Sequence, residues 1–368
     1  MPAYTLEQLL GYVYLTGLVE AVKTGIPNVL PPQFWSIKKQ TLKNMGRYTR
    51  IAGTRRTARR IEYSSATRKR ELKEVGIFDV KLNTAGEHIA LDLETYMSLR
   101  AYDSYQVQNL GMQELDRQAS QFKTLFDNLD VAMVYSMLAN GKIWFDANGN
   151  LLSTSSGAAV TIDYSISANH QNQLNGIIDV SWANASADIP TDLLAIKDQS
   201  IFDTGYELGM AFYGRNIPAL FANNALMVEY LARYPSFRDH FLQTNELPDG
   251  LFGLKWVRVS AAFYDSSVAG TAPTSSTIST FFDPNAVVFT PPIEEFWYEN
   301  MQGQIMVPTT FNPFSNLQGA ANSFDIRDKR GVWAIPTWNP ISAELHCKMC
   351  NTPIIKFPDA VFQAATVF

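Results

Sequence analysis

The sequence is short of the residues from which catalytic and metal sites are usually assembled. Its 368 residues include only two cysteines, Cys347 and Cys350, and four widely spaced histidines, His88, His170, His240 and His346. Two thiols cannot form the disulfide framework of a small secreted domain, which fits a reducing compartment. The run His346-Cys347-Lys348-Met349-Cys350 hints at zinc, but a closed tetrahedral site needs a second pair of ligands at suitable spacing, and the chain has none. The pair is read as core thiols in a buried strand, with no metal expected. A glycine-rich phosphate loop, an HExxH pair and a GxSxG elbow are all missing, so the signatures of nucleotide, zinc-peptidase and α/β-hydrolase chemistry are absent. A hydrolytic enzyme assembled from a Ser, an Asp and one of the four histidines is the remaining catalytic alternative.

Membrane and secretion signals are lacking too. The first basic residue is Lys23, and no small-residue cleavage site follows a basic start and an apolar core. The apolar run from Leu9 to Val19 is too short to cross a bilayer and is broken by Gly11 and Gly17. A cytosolic protein with no membrane partner is expected. Charged residues make up only 18% of the chain against 46% apolar, the balance of a folded protein. The length suggests about two domains.

What charge there is lies unevenly. Lys38 to Lys73 holds thirteen Lys or Arg against Glu62 and Glu71, a net +11, so the rest of the chain carries −16. The segment from Lys38 to Lys81 has thin apolar content and cannot bury enough surface to fold alone. As a two-stranded ribbon with arms of about 18 residues it would reach roughly 60 Å. An isolated hairpin is marginal in water, so such a ribbon needs a surface to lie on. Its cations, Arg47, Arg50, Arg55, Arg56, Arg59, Arg60, Arg68, Lys69 and Arg70, would meet either acidic faces of a neighbouring subunit or phosphates without sequence preference. The second option makes the chain a nucleic-acid-binding protein.

One long stretch organises the rest. From Met112 to Asn140, Met112, Leu115, Ala119, Phe122, Phe126, Leu129, Met133 and Met137 recur every three or four residues and share one helical face. Glu114, Asp116, Arg117, Gln121, Lys123, Asp127 and Asp130 are assigned to the polar face, and Asn140-Gly141 supplies the stop. At 1.5 Å per residue this is a spine of roughly 40 Å, against which sheet is expected to pack. Upstream, Thr5-Leu6-Glu7-Gln8 reads as a helix start on an extended arm. Downstream, Asn148-Gly149 between Lys142–Asp146 and Leu151–Leu152 predicts a tight hairpin, with a further strand in Ala159–Ile166. Pro190 fits the first turn of a helix that runs through Leu193, Leu194 and Ile196. Strands are predicted at Ala211–Tyr213, Trp256–Phe263, Asn285–Thr290, Gly331–Ile335 and Leu345–Met349. A helix is predicted over Pro218–Tyr234 and a loop over Ser266–Thr280. This mixture is an α+β layer arrangement.

The order of parts, with Trp182 before Asp188-Ile189-Pro190-Thr191-Asp192-Leu193, the segments Gly331-Val332-Trp333 and Trp338-Asn339-Pro340, and the terminal Ile354-Ile355-Lys356-Phe357-Pro358-Asp359 then Val361, resembles the lambda-like phage major capsid protein E family, which has the HK97-like fold. Asp188 and Pro190 are separated by Ile189 here, where the family often has Asp-Pro adjacent. The resemblance covers nearly the whole chain. It implies an N-terminal arm at 1–36, an extended loop at 37–85, a peripheral domain with the spine helix at 86–190, an axial domain at 191–335 and returning strands at 336–368. It further implies a non-catalytic subunit without cofactor or metal, which assembles with itself as hexamers and pentamers into an icosahedral head in the host cytoplasm. Scaffolding, portal and decoration proteins and packaged double-stranded DNA would be its partners. In that family the extended loop lies across the adjacent subunit, so Glu114, Asp116, Asp127 and Asp130 of a neighbour's spine become the expected docking track for the basic ribbon.

Overall fold

The computed structural model describes residues 5–21, 30–42, 45–51, 75–99, 105–259, 262–264, 278–280, 282–294, 296–308, 324–338 and 341–367. Their architecture is α+β, as expected. The spine is a single helix, Tyr105–Asn140, of 36 residues, about 54 Å long at the usual rise. It starts seven residues before the predicted Met112, because Tyr105–Gly111 lacks the apolar repeat yet still packs. At Gly111 a side chain would stand 3.0 Å from Leu99 N, so the glycine lets the helix Leu93–Leu99 close against the spine. The stop falls where predicted: Gly141 has φ +62° and its N–H donates to Met137 O at 3.0 Å.

All eight apolar positions of the spine enter one core. They lie on a sheet that, among the described residues, has six strands. Its centre is the 15-residue strand Ile341–Ile355. Arg330–Trp338 pairs with it antiparallel as a hairpin, Arg330 opposite Met349. Asn83–Ala90 pairs along its other edge, and Tyr298–Pro308 along its far end, Tyr298 opposite Ile355. Lys38–Thr41 and Phe324–Asp328 flank Tyr298–Pro308. Side chains alternate along a strand: Ala343, Leu345, Cys347 and Met349 face the spine, while Cys350 and Ile354 enter a second cluster with Tyr48, Leu82, Met301 and Val307. The two cysteines are therefore fully buried on opposite faces, and burial pushes the Cys347 thiol up to about 12.

The N-terminal segment is less extended than expected. Thr5 and Gln8 exchange reciprocal bonds, Thr5 N to Gln8 Oε1 at 2.9 Å and Gln8 N to Thr5 Oγ1 at 3.3 Å, the predicted capping box. A second helix, Tyr12–Ala21, then buries Leu15 and Val19 in the main core. Thr16 Oγ1 bonds both N–H and C=O of Val332 at the edge of the hairpin.

A second sheet, five strands among the described residues, runs in the order Lys255–Val259, Met210–Gly214, Ala286–Thr290, Phe362–Ala365, Gln171–Asn172. Its faces are divided cleanly. Met210, Phe212 and Val288 point into the spine core, whereas Ala211, Tyr213, Val287 and Phe289 point into a separate core with Trp182, Leu193, Phe221 and Trp256. Helix Ile189–Thr204 covers that second face, with Pro190 in its first turn and Asp188 as cap, accepting from Thr191 N at 3.2 Å. The helix predicted over Pro218–Tyr234 is two, Ile217–Asn223 and Ala225–Ala232. The break comes at Asn224, whose side chain accepts from Met227 N at 2.8 Å and so starts a new helix. Ile278–Thr280, assigned to a loop, pairs with Ala262–Tyr264 instead; the loop's earlier residues lie outside the described ones. Tyr298–Pro308 and Arg330–Trp338 belong to the main sheet, so the expected boundary at 335 cuts through it.

The spine is pinned to the sheet by charge. Asp130 is 2% exposed and meets Lys329 Nζ at 2.7 Å and Asn351 Nδ2 at 2.6 Å. Asp127 accepts from Arg330 at 2.9 Å and lies 3.6 Å from Lys123. Lys329 has φ +64° and joins Phe324–Asp328 to Arg330–Trp338. Placing Asp127 and Asp130 on the solvent face was therefore incorrect: at this level of the helix the chain folds back over them.

Two stability predictions result. Asp130→Ala leaves Lys329 and the Asn351 amide without their carboxylate, and should lower the unfolding free energy by about 3 kcal/mol in a urea titration. Arg117→Ala, which removes an exposed i,i+3 pair with Glu114, should leave it nearly unchanged, because exposed ion pairs are worth little. Equal losses would refute the pinning role. Asp192, bonded by Trp182 Nε1 at 2.8 Å, is pushed up from 3.8 to about 6 by burial, against the pull of that bond and with help from Asp179 and Asp188. Its folded value exceeds its unfolded one, so its contribution is complete below about pH 4 and is lost as pH rises through 6. The Tm of Asp192→Asn relative to the parent should therefore rise between pH 4 and pH 8; a pH-independent difference would contradict the assignment.

Candidate assembly surface

The basic ribbon is described at its foot, Met45–Ile51 paired antiparallel with Val75–Lys81. Three features hold it to its own subunit. Tyr48 is buried with Met301 and Leu82 and stacks on Phe78, directly opposite, at 5.8 Å. Gly46 lies so close to the main sheet that a Cβ there would collide with Met301 Sδ. Arg50 donates to Ser165 O at 2.8 Å and lies over the Phe78 ring at 5.7 Å. Burial and the pull of Arg50 act oppositely on the Tyr48 phenol, with a net rise.

Of the predicted contact residues, Arg47 makes a two-pronged bond with Asp79, the residue across from it, at 2.8 and 3.1 Å. The guanidinium holds the exposed Asp79 carboxyl below its usual range. Arg47 and Arg50 are thus both engaged within the subunit. Arg55, Arg56, Arg59, Arg60, Arg68, Lys69 and Arg70 lie outside the described residues. On the spine, Glu114 is gripped by Arg117 at 2.8 and 2.5 Å, which lowers its pKa. Asp116 is exposed on the helix, with its pKa raised by partial burial of the carboxyl. Asp127 and Asp130 are turned inward as described. The structure therefore separates the four spine acids: Glu114 and Asp116 are accessible, while Asp127 and Asp130 serve the fold.

The histidines are also separated. His170 is buried, stacks on Phe362 at 4.0 Å and lies 3.0 Å from Asp203. His88 and His346 stack at 5.3 Å in register on the main sheet, His346 resting on Trp333. His346 is pushed down chiefly by burial, against the pull of Glu344. These are packing arrangements of imidazoles with aromatic rings. Among the described residues no three His, Cys, Asp or Glu side chains converge as a metal site, and no helix is long and apolar enough to cross a membrane.

Sequence reasoning missed the cations that matter locally. Lys329 and Arg330 carry no motif, and only the two aspartates three residues apart on the spine gave a signal for a partner. Lys39 and Lys356 flank the buried Glu299 at 3.8 and 3.2 Å, a convergence of three distant segments that no local pattern encodes.

No family model and no curated protein matches the chain. Among solved structures, it is similar to a phage-related protein of Bordetella bronchiseptica RB50 at 11% identity, covering 97% of each chain with a TM-score of 0.50. It is also similar to a prophage protein of E. coli CFT073 assigned as its capsid protein, at 12% identity, covering 97% of this chain and 99% of that one with a TM-score of 0.52. The correspondence spans nearly the whole of each chain. The chain therefore has the HK97-like fold of phage capsid proteins.

Proposed function

We propose that the chain is the major capsid protein of a tailed bacteriophage, a shell subunit without a catalytic site that assembles as hexamers and pentamers into the icosahedral head enclosing double-stranded DNA. The observation that carries this reading is the end-to-end fold match to a protein assigned as a prophage capsid protein, over 97% of the chain. A ribbon whose foot is fastened to its own subunit, and whose remaining sequence is strongly basic, supports it. Such a hairpin gains little by itself, and the −16 carried by the rest of the chain offers a complementary surface on a second copy. The product is then a virion protein, assembled in the host cytoplasm, with scaffolding, portal and decoration proteins as its further partners.

Purified protein at increasing concentration should form shells, rings or tubes visible by negative-stain microscopy. A chain that stays monomeric and turns over a substrate would overturn the reading. Replacing Arg55, Arg56, Arg59 and Arg60 together by Ser should leave the Tm of the unassembled chain nearly unchanged. Assembly yield should fall at least about tenfold, because weak pairs of about 0.2–1 kcal/mol each add over many repeated interfaces. Single replacements should have little effect. Normal assembly of the quadruple variant with loss of retained DNA would assign the ribbon to the genome instead.

A further inference from the structure

At the foot of the ribbon lies a cavity of about 600 Å³, lined by Ser36, Lys38, Lys39, Thr49, Glu299 and Lys356 among others. Edge strand Lys38–Thr41, the ribbon, Tyr298–Pro308 and the end of the long central strand bring these residues together from four stretches of chain. Glu299 is 4% exposed and is held by Lys39 and Lys356 at 3.8 and 3.2 Å. Lys38 lines the same cavity, so three lysines and one carboxylate border it. The internal pairing leaves the cavity with a net positive charge, and Lys38 makes no ion pair with a described residue.

We propose that this cavity is a socket for an acidic side chain of a second copy of this chain, an inference that rests on the shell reading above. Charge complementarity selects the occupant. The chain outside the basic segment carries −16, so a neighbour presents carboxylates in quantity. Duplex binding tracks phosphates along a stripe or face, whereas these lysines are confined to one cavity. Thr49 lines the same cavity.

The test compares wild type with Lys38→Glu and with Lys38→Gln, all as full-length chains. The assembled fraction is read by light scattering and microscopy, the Tm of dissociated chain by calorimetry, and DNA retention by nuclease protection. Lys38 is exposed and makes no ion pair with a described residue, so both variants should fold with Tm values close to wild type. Assembly of the Glu variant should fall about tenfold or more, the scale of a lost ion pair replaced by repulsion, with the Gln variant between. A wild type that assembles and a Glu variant that assembles equally well overturns the socket alone. A Glu variant that assembles normally but retains less DNA overturns it in favour of phosphate. A wild type that never associates overturns the socket together with the shell reading.

Discussion

The structure depends on the contact between the spine helix and the junction Lys329–Arg330. Apolar packing holds a 36-residue helix on a sheet but does not fix its position along it, since burial is non-directional. Asp130, held at once by Lys329 and Asn351, and Asp127, held by Arg330, set that position. Lys329 adopts φ +64° where one strand ends and the next begins, so two adjacent cations reach the same helix from a bend. Charges this buried gain little net stability, because desolvation offsets their attraction. Their effect is to make every other register costly, since sliding by one turn would leave a buried carboxylate without its cation.

Once the spine is fixed, the second sheet has only one place to go. Its strands alternate between two cores, Phe212 and Val288 facing the spine and Tyr213 and Phe289 facing the helices. Phe212 meets Tyr135 of the spine edge-on at 6.4 Å, and Gln363 Nε2 donates to Leu138 O at 2.6 Å, at the helix end. The C-terminal chain then joins the layers, giving Ile341–Ile355 to one sheet and Phe362–Ala365 to the other. The two layers share one core boundary and are not two independent domains.

What could be read beforehand was what obeys a local period or a local cap. The spine repeats at helical spacing, Asn148-Gly149 makes its turn with Gly149 at φ +86°, and Asp188 with Pro190 starts its helix. Tyr298–Pro308 escaped notice because its polar residues Glu299, Asn300 and Gln302 are buried with no alternation to see; Glu299 is taken up by two lysines distant in sequence. Asn83–Ala90 escaped for the opposite reason, being a mostly exposed edge. Asp127 and Asp130 looked like Glu114 and Asp116 because charge shows in sequence, while the partner that draws a side chain inward sits some 200 residues away. The fold was legible through the order of parts, with no catalytic motif in the sequence to lean on.

The same division separates the contacts that hold the chain together from the charges at its surface. The contacts that define the subunit are desolvated and cooperative: paired aspartates, buried aromatics, and a sheet with a core on each side. The charges left over lie on its edges, at the ribbon foot, on the outer spine and around Glu299. Exposed pairs are individually worth little and are screened by salt. In the shell proposed above, contacts of this kind would add over many interfaces. Fastening the ribbon's foot through Tyr48, Gly46 and Arg50 joins the two kinds of contact. It gives a segment with little core of its own a fixed point of departure from the sheet.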